Sequence, residues 1–268
     1  MDTVELNDVR LAYRLDGPSD APVVVFCNSL STTHRSWDLQ VDALGDAFRI
    51  LRFDTRGHGE SSVPSGPYTT ADMAADLKGL LDQLDISRPV HVVGLSLGGM
   101  VAMDFAARWP SRVASLVLCA TAASMAGAEA LWNRRIEATR EGGTISFAAE
   151  TLARWFTDDF ATAQPDLYEQ IRGQIAATPD DGYIAAVAAV RDVSLADAAR
   201  TIEVPTFLIA ADDDPATPAA GVEELGKSIP GARGFRVIGP ARHLLNVEQP
   251  AAFNKALRNW LTTLPTSE

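Results

Sequence analysis

Gly94-Leu95-Ser96-Leu97-Gly98 places a serine between two glycines, directly after a short β-branched run and directly before a helical stretch. A serine in that setting suits nucleophilic attack. Small residues let a strained strand-to-helix turn close, and the turn lifts the hydroxyl to the N-terminus of a helix, where backbone N–H groups favour developing negative charge. The pentapeptide alone is weak evidence, because small residues recur in any chain. A plain glycine-rich turn is the competing reading, and the flanking strand and helix weigh against it.

Serine needs a base, and in this arrangement the base follows late in the chain, on a loop near the C-terminal edge of a sheet. Of four histidines, His34, His58 and His91 all precede Ser96 and suit structural roles. His243 follows an apolar run and a turn at Gly239-Pro240, and precedes the last helical stretch, so it is the predicted base. The acid that orients it should lie between the two, after a strand. Asp212, Asp213 and Asp214 end one such run. Asp214 is preferred, because the strand must turn before a carboxylate can point back to His243 and because Pro215 and Pro218 fix the loop beyond. The other two are expected to be solvated. A tetrahedral intermediate also needs donors, for which the N–H groups of Leu97 and of Leu30, in the loop after an early buried run, are the candidates.

These residues need a scaffold, and the order of elements supplies one. Val4 to Leu15 alternates around a turn at Asn7-Asp8, and Pro22 to Cys27, Arg49 to Phe53, Val90 to Val93 and Val113 to Cys119 read as buried strands. Helical spacing falls between them, at Trp37 to Leu44, Thr70 to Leu84 and Met100 to Trp109. Such alternation implies a mostly parallel sheet with helices on its faces. From Ala122 to about Ala199 the pattern turns helical throughout, with Trp132, Trp155, Phe156 and Tyr183 on it. Strands then resume at Pro205 to Ala211 and Gly234 to Ile238, and a helix from Pro250 to about Leu261 closes the chain. The expected division is a core of residues 1–122 and 200–268 with a helical cap, 123–199, inserted in it.

Composition narrows the partners. A formal charge of −12 repels polyanions, which argues against nucleic acid and anionic membrane surfaces, and an anionic substrate would need a local cation. Cys27 and Cys119 sit in apolar runs rather than at metal-ligand or redox spacing. The N-terminus is acidic and alternating, unlike a signal or transit peptide, and the apolar runs are too short for a membrane span. A cytoplasmic protein without metal or organic cofactor is expected, with the question of a homo-oligomer left open.

Over nearly its whole length the chain resembles the 3-oxoadipate enol-lactonases of the β-ketoadipate pathway, members of the α/β-hydrolase superfamily. The segments that carry the resemblance are Asn28-Ser29-Leu30, Phe53 to Gly59, Gly94 to Gly99, Trp132 to Ile136, Arg154 to Thr157, Ala188 to Asp192, His243, and Asn246-Val247-Glu248. Those in the helical insertion are the most specific, since the core motifs are shared by many hydrolases. Asn28-Ser29 is similar to the enol-lactonase form of a loop that usually reads His-Gly in esterases of this fold. Two departures stand out: Ser31 where the family usually has glycine, and Val193-Ser194 in place of a more usual acidic residue.

The resemblance implies an α/β-hydrolase fold and a lactone substrate that bears a free carboxylate. Arg135, beside Trp132, is the first candidate to anchor that carboxylate and Arg191 the reserve, because guanidinium grips carboxylate in two-pronged geometry. A surface ion pair competes for either arginine, and Trp132 equally suits packing of the insertion. Rival activities on the same serine, histidine and aspartate are carboxylester hydrolysis, cofactor-free perhydrolysis and carbon–carbon bond hydrolysis. A noncatalytic binding protein is the rival from another class, and labelling by a fluorophosphonate that Ser96→Ala abolishes would exclude it.

Overall fold

The computed structural model describes residues 1–263, so residues 264–268 of the expected core lie outside them. Eight strands form one sheet: β1 (Asp2–Glu5), β2 (Arg10–Asp16), β3 (Val23–Cys27), β4 (Arg49–Phe53), β5 (Val90–Leu95), β6 (Val113–Cys119), β7 (Thr206–Ala211) and β8 (Ala232–Ile238). Their spatial order is β1-β2-β4-β3-β5-β6-β7-β8. The β1–β2 hairpin adds antiparallel to β4, and every pair from β4 to β8 is parallel. Val24, Val25, Val92, Val93, Leu116 and Val117 are wholly buried, as expected of central strands covered on both faces.

Helices α1 (Asp38–Leu44), α2 (Thr70–Gln83) and α3 (Leu97–Arg108) occupy the crossovers of the first half. In α2, Met73, Ala74, Leu77, Leu80 and Leu81 recur at three and four and are buried, and a capping box between Thr69 and Asp72 starts the helix. Two boundaries near Ser96 differ from the sequence expectation. β5 continues to Leu95, because Gly94 and Leu95 pair with Leu118 and Cys119. Helix α3 then begins at Leu97 rather than Met100, since the Gly99 and Met100 N–H groups already donate to the Ser96 carbonyl. No residue is left over between strand and helix except Ser96.

Between β6 and β7 run α4 (Glu129–Gly142), α5 (Ala148–Trp155), α6 (Phe160–Ala163), α7 (Pro165–Ala177), α8 (Asp180–Arg191) and α9 (Ala196–Ala199). The segment leaves and re-enters the sheet side by side: Ser124 and Ser194 form an antiparallel bridge, and Leu195 N–H donates to Ala123 O. Helices α10 (Ala219–Ser228), α11 (Leu245–Glu248) and α12 (Pro250–Thr263) complete the chain. Among the described residues no helix is long and apolar enough to cross a membrane. Chain order reverses at β3, whose two neighbours are β4 and β5. The crevice beyond the carboxyl ends of β3 and β5 is where open parallel sheets hold ligands, and Cys27 and Gly94 stand there in register.

Candidate active site

Ser96 occupies a backbone conformation that an L-residue adopts only under constraint, with φ 56° and ψ −118°. Close packing imposes it. A Cβ on Gly94 would lie 2.2 Å from the Gly98 carbonyl oxygen, and one on Gly98 would lie 2.0 Å from that of Cys27. Ser96 N–H donates to Cys119 O at 2.9 Å, and the Thr121 hydroxyl donates to Ser96 O at 2.8 Å. The turn is therefore pinned from β6, with Ser96 partly exposed among buried neighbours and α3 starting directly behind it.

Asp214 and His243 meet at 2.8 Å, carboxylate Oδ2 to imidazole Nδ1. The Thr217 hydroxyl donates to the same oxygen at 2.6 Å, and the Ala216 and Thr217 N–H groups donate to Oδ1 at 2.8 and 3.2 Å. Burial pushes the Asp214 carboxyl up. The charge and hydrogen bond of His243 outweigh that and, with the Thr217 and Ala216 donors, hold it well below the usual carboxylate range. An ionised Asp214 accepts from Nδ1, so in the neutral imidazole Nδ1 carries the proton and Nε2 the lone pair. That is the tautomer a general base requires.

The neighbouring aspartates are not merely solvated, as the sequence suggests. Asp212 accepts from Ala241 N–H at 2.9 Å, and Asp213 pairs with Arg242 Nε at 2.9 Å. The end of β7 thus meets the loop of His243 through three consecutive carboxylates, of which only Asp214 is buried.

The loop after β3 is held from behind by the segment Asp54 to Gly59. The Asn28 side chain turns inward, donating to Phe53 O at 2.7 Å and accepting from Trp37 Nε1 at 3.0 Å. His58 accepts from Ser31 N–H at Nε2, 3.1 Å, and donates from Nδ1 to Arg56 O, 3.1 Å. Burial holds its pKa below the ordinary value, which keeps that acceptor neutral. Asp54 accepts from both the N–H and the Nδ1 of His34, at 2.8 and 3.0 Å. His91 lies at the start of β5, bonded to Ser115 Oγ at 2.8 Å. A cavity of about 800 Å³ opens there, at the opposite edge of the sheet, and holds none of the residues around Ser96. The Leu30 and Leu97 N–H groups donate to no other group among the described residues.

Arg135, on α4, lies over the rings of Trp132 and Phe147 at 5.9 and 5.4 Å, donates to Thr151 Oγ1 at 3.0 Å, and faces Glu150 at 3.5 Å. Trp132 Nε1 and the Tyr183 hydroxyl are buried without a partner. Burial pushes the Tyr183 hydroxyl pKa up and the Arg135 charge pulls against it. Arg191 is engaged elsewhere, with two bonds to Asp192 at 2.7 Å and one to Asn133 Oδ1 at 2.9 Å. For that residue the structure has the ion pair.

Sequence reasoning gave no role to Trp155, which stacks on His243 at 6.2 Å and 30°, or to Arg242 and Glu248, which bracket the histidine. The available signals were the nearness of Arg242 and Glu248 to His243 in sequence and the presence of Trp155 and Glu248 in the segments that carry the family resemblance. The contacts themselves join residues 84 to 91 positions apart, which no local spacing reveals.

Residues 22–250 match the family model of the α/β hydrolase fold. The chain is an α/β-hydrolase. Within that family the hydrolase is 33% and 35% identical to two 3-oxoadipate enol-lactonases of Acinetobacter baylyi, over 96% and 91% of its own length and 94% and 90% of theirs. A crystal structure of the enol-lactonase from Burkholderia xenovorans superposes with a TM-score of 0.93 at 37% identity, covering 97% of this chain and all of that one. The hydrolase belongs with these enzymes at the level of both sequence and fold.

Proposed function

We propose that this hydrolase opens the ring of 3-oxoadipate enol-lactone to give 3-oxoadipate, with Ser96 as nucleophile, His243 as base and Asp214 as the acid that orients it. The observation that supports the mechanism is the buried Asp214–His243 hydrogen bond, which leaves Nε2 free to act as the acceptor for the serine of the strained Ser96 turn. The substrate follows from likeness to enol-lactonases over more than nine-tenths of this chain. Segment 123–199 acts as the cap over a core of 1–122 and 200–268, in a cytoplasmic enzyme of aromatic-compound breakdown.

His243 takes the Ser96 proton as the Ser96 oxygen adds to the lactone carbonyl, and the Leu30 and Leu97 N–H groups receive the oxyanion. Collapse breaks the bond to the ring oxygen, which leaves as an enol after taking the proton from His243. Its tautomerisation to the ketone makes the opening effectively irreversible. Water then adds to the acyl-enzyme, its proton passing to His243 and on to Ser96, and the second carboxylate departs. The free carboxylate of the substrate pairs with Arg135, which a protein of charge −12 requires and whose aromatic surroundings strengthen.

The test follows loss of ultraviolet absorbance of freshly generated enol-lactone. Rapid loss is expected with the wild type and none with Ser96→Ala, and Arg135→Ala is expected to raise KM more than it lowers kcat. A folded wild type that leaves the lactone intact yet hydrolyses simple esters would replace the lactone with an ester substrate.

A further inference from the structure

We propose that Arg242 and Glu248 are positioning residues that tie His243 to the stretch Ala153–Asp158 of the helical insertion, so that seating of that stretch and orientation of the base are one event. The inference rests on His243 being the catalytic base.

Every backbone neighbour of the histidine is bound to the same short stretch. On one side, Arg242 Nη1 donates to Ala153 O at 2.8 Å, Phe156 O at 2.9 Å and Asp158 Oδ1 at 3.0 Å, while its Nε holds Asp213. On the other, Leu244 N–H donates to Trp155 O at 3.2 Å. Glu248 closes the circuit: one carboxylate oxygen accepts from Arg242 N–H at 2.7 Å, the other from Thr157 N–H at 2.7 Å and from the Thr157 hydroxyl. The Trp155 ring lies against the imidazole between these ties.

The physical chemistry explains the choice of residues. Helix α5 ends at Trp155, so the carbonyls of Ala153, Trp155 and Phe156 have no partner within the helix and carry its negative end. A guanidinium satisfies several such acceptors at once, and a backbone N–H takes another. Glu248 is buried, which costs free energy unless its oxygens are bonded, and its donors come equally from the histidine loop and the insertion. Neither partner can be satisfied with the stretch withdrawn. The Asp214 bond fixes which way the ring faces from below, and the α5 end fixes how far the loop can ride from above.

Arg242→Ala, Arg242→Lys and Glu248→Gln are to be compared with wild type by p-nitrophenyl acetate hydrolysis, by the low-field Nδ1–H proton resonance of His243, and by melting temperature. The acetate is too small to need the insertion for binding, so its turnover reports the base. In Arg242→Ala and Glu248→Gln, kcat is expected to fall about ten- to a hundredfold with KM within about twofold, and the Nδ1–H resonance to broaden or shift. Arg242→Lys should recover part of both. Folded variants with unchanged resonance and acetate turnover would overturn the proposal, even if KM for the lactone rose. If both truncations fail to fold, Thr157→Val removes one donor from Glu248 and decides by the same signals. Neither readout needs the lactone, so a wrong substrate would leave this outcome intact, and the resonance decides even if Ser96 is unreactive to the ester.

Discussion

Ser31 combines two features that are unfavourable in a merely structural residue. Its φ of 61° lies in the left-handed region, where an L-side chain costs about 1–2 kcal/mol, and its hydroxyl is buried without a partner. Glycine relieves both, so Ser31→Gly is expected to raise unfolding free energy by about 1 kcal/mol, read from urea denaturation, with the His58 contact to its N–H retained. A loss of stability instead would mean that the hydroxyl has a partner in solution. At Asp214 the prediction concerns protonation rather than packing. Asp214→Asn keeps shape and can still accept from Thr217, but its amide offers hydrogens to Nδ1 and favours the wrong tautomer, so turnover should fall by about 10⁴ with little change in melting temperature. Activity within tenfold of wild type would remove Asp214 from the mechanism.

At the scale of elements, the function of β5, α3 and the loop after β3 depends on their mutual distance. Gly98 sets it, with the Cys27 and Asn28 carbonyl oxygens 2.0 and 2.7 Å from where its Cβ would be. Gly98→Ala should push the loop off the start of α3, costing about 1–3 kcal/mol of stability and separating the Leu30 and Leu97 N–H groups, with a drop in kcat of about a hundredfold. Circular dichroism melting and acetate hydrolysis check the two parts separately, and normal kcat in a destabilised variant would discount the paired donors. The strands were readable because central strands here are unbroken apolar runs, and the Ser96 turn because glycine at 94 and 98 has a steric cause. Helix α3 starts three residues before the expected Met100, since Leu97, Gly98 and Gly99 look like loop in sequence while the Ser96 carbonyl accepts from Gly99 and Met100. Asp214 could be picked from three aspartates by chain geometry, whereas the bonds of Asp212 and Asp213 depend on where the loop of His243 arrives. The coupling of α5 to that loop lay beyond any local pattern, because it exists only after the insertion folds back.

For the whole molecule, acid acts through two opposing effects. A charge of −12 at neutral pH disfavours the compact state, and protonation toward the pI near 4.8 relieves that repulsion. Buried histidines act the other way. Burial depresses His91 to about 4, and lowers His58 as well, while the unfolded chain takes up the same protons near 6.5. Because the folded pKa lies below the unfolded one, the contribution is whole above about pH 6.5 and is lost as pH falls from there toward 4. For His91 the loss between pH 7 and pH 5 is about 2 kcal/mol, and at moderate salt the diffuse repulsion between surface charges is screened. The protein should therefore lose stability on mild acidification at moderate salt. The His91→Phe variant, placed beside Phe48 where an apolar ring packs, should lose about 2 kcal/mol less than wild type. Urea midpoints at pH 7 and pH 5 for both proteins measure the difference, and equal slopes in the two would mean that His91 is solvated enough to titrate normally, placing the acid sensitivity with His58 and the loop it holds.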